Sequence, residues 1–103
     1  MHPLIEKVND RSIKASGTQY QDWTTISKAT IVDAFGKGDL DDEWIIQFKN
    51  GVVANIYSQG KSAASHDIWH IGGFNRFASI MVLMILNKQD KHDAIYEIFQ
   101  VKA

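Results

Sequence analysis

The sequence predicts an α+β fold in which a small antiparallel sheet, made of a hairpin plus a third strand, packs against two or three helices. Two β-rich runs flank Asn50-Gly51, and Asn-Gly is the strongest short hairpin signal because both residues tolerate positive φ. A third apolar run ends on Gly72-Gly73. The stretch that follows these glycines is apolar around nearly its whole circumference, which indicates a helix in the core or at a subunit interface.

Length and composition are those of a single globular domain. The 103 residues suit one hydrophobic core, so we expect residues 1–103 to form one domain. With 45% hydrophobic and 22% charged residues, the chain has the composition of a folded protein. A formal net charge of -1 argues against a basic footprint for nucleic acid over the whole molecule.

Cysteine usage and the length of the apolar runs predict the cellular location of the protein. Cysteine is absent, which excludes disulfides and thiolate metal sites. The N-terminal residues lack the basic and apolar segments of a secretory signal. The longest apolar run, residues 80–86, is far below the roughly 20 residues that span a bilayer. We therefore expect a cytoplasmic protein with no membrane span and no cofactor.

Local signals predict the elements in order along the chain. Residues 1–22 are expected to form either a short helix or an extended arm. Ser27 is a candidate N-cap and Gly36 a candidate C-terminal stop for the helix between them. The hairpin strands at 43–48 and 52–57, a third strand at 67–71 and a helix at 75–87 follow in turn. A last short helix or strand is predicted at 95–99.

The turn at Asn50-Gly51 also predicts which side chains share a face. A two-residue turn pairs Phe48 with Val53 and Trp44 with Tyr57. In this register the core face carries Trp44, Ile46, Phe48, Val53 and Tyr57. Ile45, Ala54 and Ile56 lie on the other face, so the hairpin is covered on both sides or meets a partner there.

Motifs for nucleotide hydrolysis and metal binding are incomplete. Gly60-Lys61-Ser62 resembles the end of a P-loop, but Asn55 stands where that motif requires another glycine. His66, Asp67 and His70 are metal-ligand types. On a strand, however, His66 and His70 lie about 13 Å apart at roughly 3.3 Å per residue, too far for one ion.

An acidic cluster precedes the hairpin and comprises Asp39, Asp41, Asp42 and Glu43. Adjacent carboxylates on a turn usually sit in water, although paired carboxylates also serve as acid and base or hold magnesium. Here we expect the cluster to repel an unwanted partner or to attract a basic one. Since no nucleophile has a supporting sequence context either, we expect neither an enzyme nor a metal site.

The junction at Gly72-Gly73 is the best candidate for a ligand site. Adjacent glycines permit positive φ and close approach, and the free N–H groups of a following helix receive anions. Arg76 in the first turn of that helix and Lys61 on the preceding loop supply positive charge. We expect phosphate or carboxylate to bind here, unless the glycines serve only as a tight strand-to-helix connection.

Several segments combine into a recognisable pattern. They are Ala34-Phe35-Gly36, Asp41-Asp42-Glu43-Trp44, Asn50-Gly51, Asn55-Ile56-Tyr57 and Trp69-His70-Ile71-Gly72-Gly73. Over about residues 27–86 the chain resembles a group of small phage and mobile-element proteins of unknown function. It departs from that group at residues 58–61, where an acidic or amide residue followed by an aromatic or a lysine is expected. The resemblance assigns no role to any residue.

The resemblance implies a genomic setting in which small non-enzymatic proteins often inhibit bacterial defence systems. We therefore expect a phage-like protein that binds and inhibits a host protein or nucleoprotein complex such as a CRISPR nuclease. Trp44, Tyr57 and Trp69 are the predicted aromatic contacts, provided that they are exposed. The alternative is a small-molecule binder that sequesters a phosphorylated or nucleotide ligand at the Gly72-Gly73 helix start.

The apolar helix from Asn75 to Asn87 predicts self-association as well. Its apolar circumference exceeds what the core of a chain of this length readily covers. We expect a homodimer in which this helix forms the interface.

Overall fold

The computed structural model describes residues 2–13, 20–39, 42–58, 68–74 and 76–87. The elements are β1 (Ile5–Val8), β2 (Tyr20–Thr25), α1 (Lys28–Phe35), β3 (Trp44–Phe48), β4 (Val53–Tyr57), β5 (Ile68–Gly73) and α2 (Arg76–Leu86). The strands form one antiparallel sheet in the order β1-β3-β4-β5-β2. The predicted α+β class is confirmed, and the sheet has five strands where three are predicted. The element predicted at 95–99 lies outside the described residues.

The N-terminal segment supplies the two additional strands. β1 lies against β3, with Ile5 opposite Phe48. β2 pairs with β5 along its whole length, from Tyr20 opposite Gly73 to Thr25 opposite Ile68. The short-helix alternative for this segment is therefore wrong. The local sequence gives no clear signal for either strand. Both strands are stabilised by pairing with residues far along the chain, and the strand propensity of a residue depends on those cross-strand neighbours.

α1 begins and ends at the residues that the sequence predicts. Ser27 is the N-cap, and its hydroxyl accepts a hydrogen bond from the Thr30 N–H at 3.3 Å. Gly36 follows the last turn with a φ of 83°, and its N–H donates to the Val32 carbonyl at 2.7 Å. A left-handed φ is accessible to glycine without the strain that a Cβ would introduce.

The β3–β4 hairpin differs from the predicted one by one residue of register. Phe48 pairs with Val52 and not with Val53, since the Phe48 N–H donates to the Val52 carbonyl at 2.8 Å. The turn therefore contains residues 49–51. Gly51 has a left-handed φ of 90° and donates its N–H to the Phe48 carbonyl at 2.9 Å, as in a type I turn followed by a left-handed bulge residue.

This change of register exchanges the two faces of β4, because successive side chains of a strand point to opposite sides. The inner face, which meets the helices, carries Trp44, Ile46, Phe48, Val52, Ala54 and Ile56, each at most 2% exposed. Val53 and Tyr57, predicted in the core, lie on the opposite outer face and are half-buried. The prediction is wrong because Asn-Gly fits both a two-residue turn and the last two positions of a three-residue turn.

α2 turns one side to the core and packs against β4, β5 and α1. Its buried residues are Ala78, Ser79, Met81, Val82, Ile85 and Leu86, while Phe77, Ile80, Leu83 and Met84 are half-buried. Much of the apolar circumference is thus used within the subunit. The half-buried stripe keeps a homodimer through residues 75–87 as a prediction. Of the helices in the described ranges, neither has the length and hydropathy needed to cross a membrane.

Two buried tryptophans hold both ends of α1 against the sheet. Trp44 and Trp69 meet edge to face, with ring centroids 5.6 Å apart and planes inclined at 74°. The Trp44 Nε1–H donates to the Gly36 carbonyl at 2.8 Å, just after α1. The Trp69 Nε1–H donates to the Ile26 carbonyl at 2.9 Å, just before α1. Each indole thereby satisfies its buried donor and positions one helix end.

Gly73 lets α2 approach the end of β5. A Cβ at Gly73 would clash with the Cβ of Ala78 and lie 3.1 Å from the Val53 carbonyl oxygen. Neither Gly72 nor Gly73 has a positive φ, which among the described glycines is confined to Gly36 and Gly51. The predicted use of positive φ at this junction is therefore wrong, and close approach is what Gly73 provides.

Gly73→Ala is expected to destabilise the fold by about 1–3 kcal/mol, because the added methyl group overpacks a closed contact. Denaturant unfolding measures the effect. Ala78→Gly removes the opposing methyl group, so the double variant is expected to lose less stability than the two single variants together. Strict additivity of the two losses would contradict the contact.

Candidate interaction surface

The outer face of the sheet, opposite the helices, carries aromatic side chains on three adjacent strands. Trp23 of β2 lies opposite His70 of β5, and His70 lies opposite Tyr57 of β4. The rings of His70 and Tyr57 stack with centroids 5.4 Å apart and an interplanar angle of 20°. Trp23 is 62% exposed. We call these three residues the aromatic row.

Along strands β2 to β5, the outer-face side chains near the aromatic row are neutral. The strand registers place Thr25, Ile45, Gln47, Val53, Asn55 and Ile68 on the same face. Ile68 is 44% exposed and extends the apolar area along β5. Gly72, opposite Asn55, presents only its backbone there. On β2 to β5 the outer face therefore combines aromatic and aliphatic groups with amide and hydroxyl groups, and on β1 Lys7 lies opposite Gln47.

Trp23 lies on an edge strand, because β2 is last in the order of the sheet. A free strand edge exposes backbone groups that pair readily with another chain. The Oδ1 atom of Asp22 accepts a hydrogen bond from the Trp23 N–H at 2.8 Å and so occupies one of these edge donors. This contact disfavours strand addition at the centre of β2. The exposed group at the centre of β2 is therefore the side chain of Trp23.

An acidic residue, Glu43, lies near the Tyr57 end of the aromatic row. The connection between α1 and β3, residues 36–43, contains four acidic residues and one lysine, a formal charge of -3. Its last residue, Glu43, directly precedes β3 at the end of the sheet where β4 ends with Tyr57. The ammonium group of Lys28 lies 2.8 Å from the carboxylate of Asp42 and offsets part of this charge.

The structure separates the three predicted aromatic contacts. Tyr57 belongs to the outer face and is half-buried. Trp44 is 0% and Trp69 is 2% exposed, so the condition of exposure on which their predicted contact role depended is not met. The burial of Trp44 agrees with its predicted place on the core face of the hairpin. The strand that carries Trp69 is apolar on both sides, so sequence alternation alone does not say which side meets the helices.

The predicted anion site has a different geometry from the expected one. Gly72 and Gly73 lie within β5 and pair with both β2 and β4, while α2 begins only at Arg76. Arg76 is exposed, and its guanidinium carbon lies 5.6 Å from the centroid of the Phe77 ring. Lys61 lies outside the described residues. Anion binding by Lys61 and Arg76 stays a prediction.

The candidate metal ligands are likewise only partly placed. His66 and Asp67 lie outside the described residues, whereas His70 stacks on Tyr57. Within the described ranges, no group of three His, Asp or Glu side chains is arranged to hold a metal ion.

Trp23 is the surface residue that the sequence-based prediction missed. It lies in a polar stretch, Tyr-Gln-Asp-Trp-Thr-Thr, which has no apolar alternation to mark a buried face. Its one available signal is composition, since two aromatic residues and two threonines in six positions are typical of a strand.

Comparisons with known proteins return no match, whether with family models, with curated proteins or with solved structures.

Trp23 is expected to be the tryptophan that acrylamide quenches in the folded protein. The chain contains three tryptophans, and the other two are buried. Trp23→Phe is therefore expected to remove the readily quenched component and to shift the remaining emission to shorter wavelengths. Unchanged quenching in this variant would show that the outer face is covered, contrary to the exposure of Trp23.

Proposed function

We propose that the protein is a small non-enzymatic inhibitor that binds a bacterial defence component, such as a CRISPR nuclease, through the outer face of its sheet. The observation that carries the binding role is the aromatic row, in which Trp23 is 62% exposed beside the stacked pair of His70 and Tyr57. The resemblance to small phage and mobile-element proteins supports the choice of target and of the bacterial cytoplasm as location.

The composition of the outer face supports a protein partner. Tryptophan and tyrosine dominate the binding energy of many interfaces, because one rigid ring buries a large area while its polar atom keeps a hydrogen bond. Around the aromatic row, Asn55 and Thr25 provide the polar rim that such interfaces have. A large aromatic side chain as exposed as Trp23 is the kind of group that a partner would remove from water.

The aromatic row is also held rigid before binding. Its three residues lie on neighbouring hydrogen-bonded strands, and the inner sides of β4 and β5 are packed against α2. A preorganised surface loses less conformational entropy on association than a mobile loop does. The sheet therefore acts as the support that fixes the spacing of the three rings.

The proposal predicts stoichiometric inhibition in DNA-cleavage assays with purified, guide-loaded CRISPR nucleases. Increasing amounts of the protein are expected to reduce cleavage until a fixed ratio of inhibitor to nuclease is reached. Progressive inactivation at far lower ratios would instead indicate an enzyme. Full cleavage by every nuclease in the panel at excess inhibitor would contradict this target class.

Trp23→Ala is expected to weaken inhibition about 30-fold, the loss of about 2 kcal/mol that defines a binding hot spot. Phe74→Ala is the matched control, because Phe74 is a large apolar residue that is 48% exposed and lies outside the aromatic row. We expect Phe74→Ala to inhibit like the unmodified protein. Melting curves confirm that both variants are folded, and equal losses in the two would argue against the aromatic row as the centre of the binding surface.

A further inference from the structure

We infer that Asn50 is a site of spontaneous deamidation, and that the folded β3–β4 turn restrains this reaction. In deamidation the backbone nitrogen of the next residue attacks the asparagine side chain, and a following glycine leaves that nitrogen least hindered because it has no side chain. The chain contains one Asn-Gly dipeptide, Asn50-Gly51. Gly51 is exposed and Asn50 is half-buried, so water and hydroxide reach the turn from solvent.

The reaction joins the backbone nitrogen of Gly51 to the side chain of Asn50. Hydroxide removes the Gly51 amide proton, and the nitrogen forms a bond to the Cγ atom of Asn50. The side-chain amide leaves as ammonia after taking a proton from water, which regenerates the hydroxide. Water then opens the resulting succinimide ring. Cleavage between the nitrogen and the side-chain carbonyl gives aspartate, and cleavage between the nitrogen and the main-chain carbonyl gives isoaspartate.

Both reacting groups are engaged in hydrogen bonds in the folded turn. The Gly51 N–H donates to the Phe48 carbonyl at 2.9 Å. The Nδ2–H group of Asn50 donates to the Sδ atom of Met81 at 3.6 Å, while its Oδ1 atom accepts from the Val52 N–H at 3.1 Å. Ring closure necessarily removes the first two of these bonds, because the Gly51 nitrogen loses its hydrogen and Nδ2 leaves as ammonia. The native contacts of the turn therefore oppose the reaction.

The residues around the turn restrain its movement further. The Phe48 N–H donates to the Val52 carbonyl at 2.8 Å, and the Lys49 N–H donates to the Leu4 carbonyl at 2.9 Å. The side chains of Phe48 and Val52 are buried in the core. Release of Asn50 and Gly51 thus requires local opening of this end of the hairpin. The rate in the folded chain is then the rate in the open chain multiplied by the fraction of molecules that are open.

Isoaspartate at position 50 would change the turn more than aspartate would. In isoaspartate the main chain runs through the Cβ and Cγ atoms, which adds a methylene group to the turn. Because the length of this turn sets the face on which Tyr57 lies, the added group is expected to weaken the hairpin. Aspartate keeps the normal main chain and an Oδ1 acceptor for the Val52 N–H, and Asp-Gly is also favoured in hairpin turns.

The test follows deamidation of the full chain at mildly alkaline pH by peptide mapping and mass spectrometry. The folded protein is compared with the same chain unfolded in denaturant at equal pH and temperature. We expect Asn50 to react at least about tenfold more slowly in the folded chain, since two hydrogen bonds of ordinary net strength must first be lost. Asn55 is the internal control, because the β-branched side chain of Ile56 hinders attack by its nitrogen, and it should stay unmodified in both states.

Met81→Leu tests the contact between the Asn50 side chain and α2. It conserves the apolar volume of the core and removes the sulfur acceptor, so deamidation of the folded chain is expected to become about two- to fivefold faster, as for loss of one weak hydrogen bond. Met84→Leu on the same helix is the matched control and should leave the rate unchanged. Equal rates in the two variants would contradict a restraint by Met81.

Denaturant unfolding of the modified forms tests the consequence for the hairpin. Asn50→Asp is expected to unfold at nearly the same denaturant concentration as the unmodified chain, and the purified isoaspartate form at a lower one. Equal stability of these two forms would contradict the effect of turn length.

Two further results would overturn the inference. Equal deamidation rates in the folded and unfolded chains would exclude restraint by the turn, and an unmodified Asn50 in the unfolded chain would exclude the site itself. These measurements need no partner, so their outcome is independent of the nuclease assay.

Discussion

Gly51 holds the β3–β4 turn at three residues, and the distribution of side chains over the two faces of the sheet depends on that turn. With a left-handed φ of 90° at Gly51, Phe48 pairs with Val52. All six alternating positions of the hairpin that then face the helices are apolar and buried. The same register moves Tyr57 to the outer face, where it stacks on His70. A continuous apolar inner face and an aromatic outer surface thus follow from one turn conformation.

The features that sequence predicts well here are local ones. The caps of α1 at Ser27 and Gly36 depend on a few neighbouring residues, and the structure confirms both. Pairings between distant residues are not encoded locally, which is why β1 and β2 escaped prediction. Strands with apolar residues on both sides leave the buried face undecided, so sequence alone offers Trp69 as a contact residue if it is exposed, whereas the structure buries it in the core. The one exposed tryptophan among those described, Trp23, lies in a polar stretch with no periodic signal to mark it.

Two of the three tryptophans lie on the inner side of the sheet and are buried, and the third lies on the outer side and is exposed. On the inner side, Trp44 and Trp69 contact one another and donate their indole N–H groups to the carbonyls on either side of α1. This arrangement fixes the helix on the sheet without disulfides. On the outer side, the ring of Trp23 is exposed. Burying this ring against a partner would remove apolar surface from water and so contribute favourably to the free energy of binding. The proposed binding role follows from this contrast between satisfied inner indoles and an exposed outer one.

Nuclear Overhauser effects between Hα protons test the central claim most directly, because opposite residues in a non-hydrogen-bonded antiparallel pair have Cα atoms only about 4.5 Å apart. The Phe48–Val52 hydrogen bond makes Gln47–Val53 and Ile45–Asn55 such pairs, and Trp23–His70 is a third across β2 and β5. The account predicts strong Hα–Hα cross-peaks for all three. Cross-peaks shifted by one residue, joining Ile46 to Asn55, would return Tyr57 to the core face and contradict the aromatic outer surface on which the proposed function depends.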